Sequence, residues 1–129
     1  MSFTLDTSAY SAFNRGDKRL REWFTSDNDI IVPIIVVGEL RAGFVAGIKY
    51  KENEELLQRF LDSPNVFVQT LSDKTTKIYS QIYLKLRQKG KPVGTNDMWI
   101  AAIALEQNNE LLTLDNDFPN IPSLMLCVL

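Results

Sequence analysis

The order of apolar segments along the chain predicts an α/β protein, a single domain over residues 1–129 built as an α/β/α sandwich around a mostly parallel central sheet. Two observations carry this. Segments such as Ile30-Ile31-Val32 and Val66-Phe67-Val68 are continuous apolar runs rather than alternating ones, as expected of strands covered on both faces. Between them lie stretches with apolar residues at helical spacing, so strands and helices alternate. At 129 residues, with no repeats, linkers or low-complexity tracts, the chain is the size of one domain and long enough to bury a sizeable core.

Residues 2–5 read as a short buried strand ending at Asp6-Thr7-Ser8, where small polar side chains suit a helix start. A short helix over 8–14 stops at the turn Arg15-Gly16-Asp17. Residues 18–25 place Leu20, Trp23 and Phe24 on one helical stripe. Asp29 leads into the strand 30–32, which Pro33 closes. The β-branched run 34–37 leans towards strand by propensity, but proline at the first turn and the later Leu40, Phe44 and Ile48 favour a helix. Residues 52–61 form another helix, with Leu56, Leu57, Phe60 and Leu61 inward. Ser63-Pro64-Asn65 breaks it before the strand 66–68. A long helix over 72–88 carries Ile78, Tyr79, Ile82, Tyr83 and Leu86, and 90–94 is a loop. Thr95 caps a helix that runs through Trp99, Ile100, Ile103 and Leu105 to about Asn108. Residues 110–114 and 124–128 are the last strands.

Composition excludes more than it selects. The chain has no histidine and one cysteine, which removes Ser-His-Asp and Cys-His triads, His-ligated zinc, Cys-rich metal sites and histidine acid–base chemistry. Cys127 has no partner for an internal disulfide, which fits a reducing cytoplasm. The opening residues do not resemble a secretory leader, and the apolar stretch 30–37, interrupted by Pro33, is too short to span a bilayer, so no membrane association is expected. An enzyme with this inventory would use carboxylates and a hard, oxygen-seeking cation such as Mg²⁺ or Mn²⁺.

Four acids fit that description. Asp6, Glu39, Asp97 and Asp115 stand in LDTS, VVGELRAG, TNDMWIAA and LLTLDNDF, each beside an apolar run or within an apolar helix pattern. A carboxylate near a buried segment is costly to keep ionised unless it is paired, hydrogen-bonded or cation-bound. In an open parallel sheet, sites form beyond the carboxyl ends of the strands, where Asp6 and Asp115 fall and where the helix opened by Asp97 can begin. Each acid also has a purely structural use. Asp6 could cap the helix after it, Asp97 could favour a helix dipole, Asp115 and Asp117 could be turn residues, and Glu39 could pair with Arg41 or a distant arginine. The net charge of −2 decides nothing about an anionic partner: setting the four acids aside leaves twelve against fourteen Lys and Arg.

Taken together and in this order, LDTSAY, GELRAG, TNDMWIAA and LLTLDNDF resemble the PIN-domain ribonucleases, and more narrowly the VapC-like toxins of bacterial toxin–antitoxin pairs. The similarity covers the chain in length, order and spacing. It implies a PIN-like fold and metal-dependent hydrolysis of RNA phosphodiester bonds, with Mg²⁺ or Mn²⁺ as cofactor. Asp6, Glu39 and Asp97 would be core metal ligands and Asp115 would complete the site or orient the attacking water. Asp117 would be an auxiliary ligand. Thr7, Asn96 and Thr113 would support the acids through hydrogen bonds.

Arg15, Arg41 and Lys91 are the expected phosphate contacts on RNA. Tyr10, Trp23 and Phe44 could stack on bases, although core packing is the commoner use of such residues. The resemblance further implies a homodimer and a cognate antitoxin, with Phe13, Trp23, Phe24, Phe44 and Tyr50 in the segments where a hydrophobic groove for that partner could form. A PIN-like fold that has lost catalysis and serves as an RNA- or protein-binding module is the alternative. A phosphorelay receiver, the other small α/β domain with aspartates at strand ends, does not fit: Thr7 follows Asp6 where a receiver has a second acid, and the last strand has no lysine.

Overall fold

Four strands form one sheet in the computed structural model, which describes all 129 residues. They are β1 (Ser2–Leu5), β2 (Asp29–Pro33), β3 (Val66–Gln69) and β4 (Glu110–Leu112), in the order β3-β2-β1-β4 and parallel throughout. Five helices connect or follow them: α1 (Thr7–Asn14), α2 (Ile34–Ala46), α3 (Tyr50–Leu61), α4 (Asp73–Lys89) and α5 (Thr95–Gln107). In the central strand β1, Phe3, Thr4 and Leu5 are all buried although their side chains alternate between faces, so both faces are covered. The expected α/β sandwich is what forms.

The register positions the functional edge. Leu5 of β1 lies opposite Leu112 of β4. The pairing continues one residue further, where the Asp6 amide donates to the Leu112 carbonyl at 3.2 Å. Asp6 and Thr113 therefore leave the sheet side by side at its carboxyl end.

Helix α2 forms despite its β-branched start because Val36, Val37 and Leu40 fall on one buried stripe behind Pro33. It stops at Ala46, so Ile48 lies beyond it and is 100% exposed rather than extending the stripe. In α3 only Leu57 is fully buried, while Leu56 is 46% exposed. Adjacent helical residues sit 100° apart, and the face that α3 turns to the core takes Leu57 and leaves Leu56 outside it. Helix α4 begins with a reciprocal cap in which Ser72 and Thr75 each bond the other's backbone amide, and it ends at Gly90, whose φ of 66° suits a residue without Cβ. Tyr83 on this helix is half-exposed, not inward. Helix α5 begins at Thr95 itself, after Gly94, and Thr95 makes no side-chain cap.

Three expected elements differ in extent. Residues 18–25 form only a single 3-10 turn, Lys18–Leu20, instead of a helix. Side-chain amides take the carbonyls that a longer helix would use: Asn28 donates to Trp23 O and Asn65 donates to Thr25 O. The packing expectation nevertheless survives, because Leu20 is buried and Trp23 and Phe24 stack edge-on against Phe3. β4 ends at Leu112 rather than at residue 114, since Leu114 N bonds Ser8 Oγ instead of a neighbouring strand. The last segment makes one parallel bridge, Leu111 to Leu126, in place of a strand over 124–128. β3 is a true edge strand, so its apolar Phe67 and Val68 remain exposed.

Burial pushes the Cys127 thiol up to about 12, leaving it protonated and unreactive near neutrality. No helix is long and apolar enough to cross a membrane.

Candidate active site

The carboxyl edge of the sheet gathers the acids from four separate stretches of chain. Asp6 follows β1, Glu39 lies in α2, Asp97 in the first turn of α5, and Asp115 and Asp117 follow β4. Asp97, Asp115 and Asp117 converge most closely: each offers a carboxylate oxygen within 4.8 Å of the others. Beside them, Glu39 and Asp97 line an open cleft of about 360 Å³ together with Gly94, Thr95 and Asn96.

Asp6 is the deepest of the set, 3% exposed. It caps α1 by accepting from Ala9 N at 2.9 Å, as its position before the helix suggested. It also accepts from Thr113 Oγ1 at 2.5 Å, and Ser8 Oγ lies 2.8 and 3.0 Å from its two oxygens. Burial raises its pKa, and the bonds from Thr113, Ala9 and Ser8 oppose that rise by favouring the carboxylate. Capping and membership of the acidic edge are thus compatible uses of one side chain.

Glu39 is not paired with Arg41. It accepts from Thr7 Oγ1 at 2.7 Å on one oxygen and from Asn96 Nδ2 at 3.3 Å on the other. Arg41 turns instead to α3, where its Nε and Nη2 lie 3.1 and 3.0 Å from the two oxygens of Glu54. Asp115 and Asp117 do form the expected turn, with Asp117 N donating to Asp115 Oδ1 at 2.9 Å. Thr113 ties this turn to Asp6, because its hydroxyl donates to Asp6 and accepts from Asp115 N at 2.9 Å.

Ser8 carries more than its place at a helix start indicated. Its hydroxyl donates to Asp6 and accepts from Leu114 N at 3.0 Å, which joins α1 to the end of β4. The signal in the sequence was a small hydroxyl two residues after a buried acid, but its partner 106 residues away is visible only in the fold.

The electrostatics of the cluster identify what it lacks. Asp97 has its pKa pushed up to about 6, first by burial and then by the charges of Asp115, Glu39, Asp6 and Asp117. The molecule's three ion pairs are Arg19–Asp17, Arg41–Glu54 and Lys77–Asp73, and none involves these acids. Five carboxylates share one edge and none of them is in an ion pair. Their donors are all hard oxygens, which is the ligand chemistry of Mg²⁺, Mn²⁺ or Ca²⁺ and not of zinc or copper. The residues present fit a divalent cation.

Of the residues expected to meet RNA or a partner, Arg15 and Lys91 are exposed and free of ion pairs, whereas Arg41 is occupied by Glu54. Tyr10 is buried against Phe60 and is not available to stack on a base. Phe13 and Phe24 stack on each other with centroids 4.0 Å apart, and with Trp23 and Phe44 they pack partly buried against the core. Tyr50 remains half-exposed.

A parallel sheet with this acidic edge belongs to the PIN-domain family, whose model matches residues 3–124. Within that family the resemblance is to the VapC ribonucleases. The chain is 33% identical to Ribonuclease VapC2 of Rickettsia felis over 106 residues, covering 81% of this chain and 78% of the relative. It is 26% identical to Ribonuclease VapC5 of Mycobacterium tuberculosis over 114 residues, covering 88% and 83%. The fold superimposes on the structure of VapBC2 from Rickettsia felis bound to a promoter DNA fragment with a TM-score of 0.85, at 30% identity and 98% coverage of both chains. A DNA-bound VapBC from Salmonella typhimurium has the same fold, with a TM-score of 0.87 at 23% identity over 98% and 97% of the two chains.

Thr113→Val keeps the shape of this side chain and removes both of its hydrogen bonds. The buried Asp6 then loses one donor and the Asp115 turn loses its anchor, so divalent-cation affinity should fall about 10–100-fold, the usual cost of removing such a support. Titration calorimetry with Mn²⁺ on the two proteins measures it. Equal affinities would mean that Thr113 does not position the acids.

Proposed function

We infer that the chain is a divalent-metal-dependent endoribonuclease acting as the toxin of a toxin–antitoxin pair, with residues 1–129 forming its one PIN domain. The observation that carries this reading is the uncompensated cluster of Asp6, Glu39, Asp97, Asp115 and Asp117 at the carboxyl edge of the sheet. Membership of a family whose relatives are VapC ribonucleases supports the choice of RNA as substrate.

A bound Mg²⁺ or Mn²⁺ supplies Lewis-acid polarisation of the scissile phosphate and a more acidic water. Asp97, Asp115 and Asp117, whose carboxylate oxygens lie within 4.8 Å of one another, would share it. Asp6 and Glu39 complete the negative field, each held in a fixed rotamer by side-chain donors: Thr113 and Ser8 for Asp6, Thr7 and Asn96 for Glu39. That restraint keeps the carboxylates from swinging apart under their mutual repulsion. Arg15 and Lys91 would meet the RNA backbone, and Arg41 could join them only by leaving Glu54.

VapBC-5 of Mycobacterium tuberculosis is a member of the VapBC family of toxin–antitoxin systems, and we assign this chain a cognate antitoxin on its similarity to the VapBC structures. A homodimer acting in the cytoplasm is the assembly and setting that go with this function.

Incubation of antitoxin-free protein with total cellular RNA tests the reading. With Mg²⁺ or Mn²⁺, discrete fragments are expected, and with EDTA none. A folded protein that cuts no RNA with any divalent metal would instead be a binding module on the same fold.

A further inference from the structure

A second, larger cleft of about 460 Å³ lies next to the acidic one, formed by the end of α4, the loop after it and the first turn of α5. Its floor is apolar, with Pro92, Val93 and Met98, and Tyr83, Arg87 and Lys91 border it. The same short stretch of chain forms both clefts. Lys91 to Val93 line the larger one, Gly94 to Asp97 line the acidic one, and Met98 returns to the larger. The two clefts are therefore neighbours along one stretch of chain.

The chemistry of the lining distinguishes this cleft from an ordinary apolar dent. Arg87 and Lys91 are exposed and make no ion pair or side-chain hydrogen bond within the molecule. They are cations without counter-charges beside an edge that carries five carboxylates. A polyanion crossing the site needs the reverse of those carboxylates on its flanks, and these two side chains supply it. Tyr83 is 49% exposed and offers an aromatic ring at the border of this cleft. Apolar floor, aromatic side and phosphate-seeking rim are the combination by which proteins hold one unstacked base of a single strand.

We propose that this cleft is a nucleotide subsite of the ribonuclease, taking one base of single-stranded RNA beside the scissile phosphate, with Tyr83 stacking on the base and Arg87 and Lys91 holding its phosphates. The proposal rests on the ribonuclease reading and adds where the substrate strand leaves the carboxylates. It makes the subsite a determinant of affinity, not of the chemical step.

Steady-state cleavage of a fluorogenic single-stranded oligoribonucleotide in Mn²⁺ tests it, comparing wild type with Tyr83→Ala, Tyr83→Phe and the pair Arg87→Ala/Lys91→Ala. All three positions are exposed, and circular dichroism confirms that the variants fold. Tyr83→Ala should raise KM about tenfold, as loss of one stacked base does, with kcat within twofold, and Tyr83→Phe should restore it. The double variant should raise KM and lower the dependence of log(kcat/KM) on log salt by about 0.7 for each cation removed. Unchanged KM and salt dependence in variants of an active wild type would overturn the subsite while leaving the nuclease intact. A changed oligomeric state by light scattering with unchanged KM would overturn it too, making the cleft a contact between copies of this chain. Failure of the underlying reading shows separately, as wild type that cuts nothing, and the subsite falls with it.

Discussion

Replacing Asp97 with asparagine should lower RNA cleavage by about 10²–10³-fold, the scale of losing one preorganised electrostatic partner in an active site, while leaving the metal-free protein at least as stable as wild type. The two halves of this expectation have one cause. Asp97 is the acid on which the repulsion converges, with burial and four neighbouring carboxylates all disfavouring its ionised form. An amide of the same shape removes that repulsion from the metal-free protein but also removes the charge that would bind the cation. Activity and thermal stability should therefore move in opposite directions, as they do where a site is strained for function. Cleavage assays and thermal melts on the same preparations measure both. Cleavage within twofold of wild type would remove Asp97 from the metal site. A melting temperature lowered in step with activity would make it a structural residue.

Stability of the protein should depend on pH and on divalent cation together. In the folded, metal-free state Asp97 titrates at about 6, well above the ordinary range of an aspartate. The folded state therefore holds a proton more tightly than the unfolded one. By linkage this contribution to stability is fully present below the unfolded value and is lost as pH rises through about 6. Burial raises the pKa of Asp6 as well, so it acts in the same direction. Above that range the ionised cluster is at its most repulsive and also at its most receptive to a cation. Mg²⁺ or Mn²⁺ at about 100 times its Kd should stabilise the fold by about 2.7 kcal/mol at pH 7.5, a rise of several degrees in Tm. At pH 5 the gain should largely vanish, because protons compete for the same oxygens. Differential scanning calorimetry at the two pH values, with and without metal, provides the test. An equal gain at both, or none at either, would mean that the cation is not held by these carboxylates. Asp97→Asn should flatten the pH dependence of the metal-free protein.

Relatives explain how much of this could be read from the chain, but the particular residues explain why. LDTSAY, GELRAG, TNDMWIAA and LLTLDNDF each combine an acid with an apolar run, so hydrophobic periodicity locates them on a strand end or a helix. Continuous apolar strands likewise indicated a parallel sheet covered on both faces, which is how β1 is buried. Local signals failed where distant partners intervened. Residues 18–25 have a helical stripe, yet the amides of Asn28 and Asn65 claim their carbonyls. Leu56 and Leu57 are equally apolar, and only the direction from which the core approaches α3 decides that Leu57 is the buried one.

The chain by itself determined its class, its acidic inventory and the exclusion of histidine and cysteine chemistry, because these follow from composition and from short-range periodicity. The tertiary structure decided which acids meet. The family resemblance put Asp6, Glu39 and Asp97 forward as core ligands, and the fold adds that Asp97, Asp115 and Asp117 converge most closely, with Asp6 and Glu39 fastened beside them. It also reassigned Arg41 to Glu54 and made Ser8 a junction between α1 and the end of β4. The physical reason is range. Propensity and burial act over a few residues and leave their mark in the sequence, while a hydrogen bond or a carboxylate cluster closes across dozens of residues and depends on strand register and side-chain rotamer.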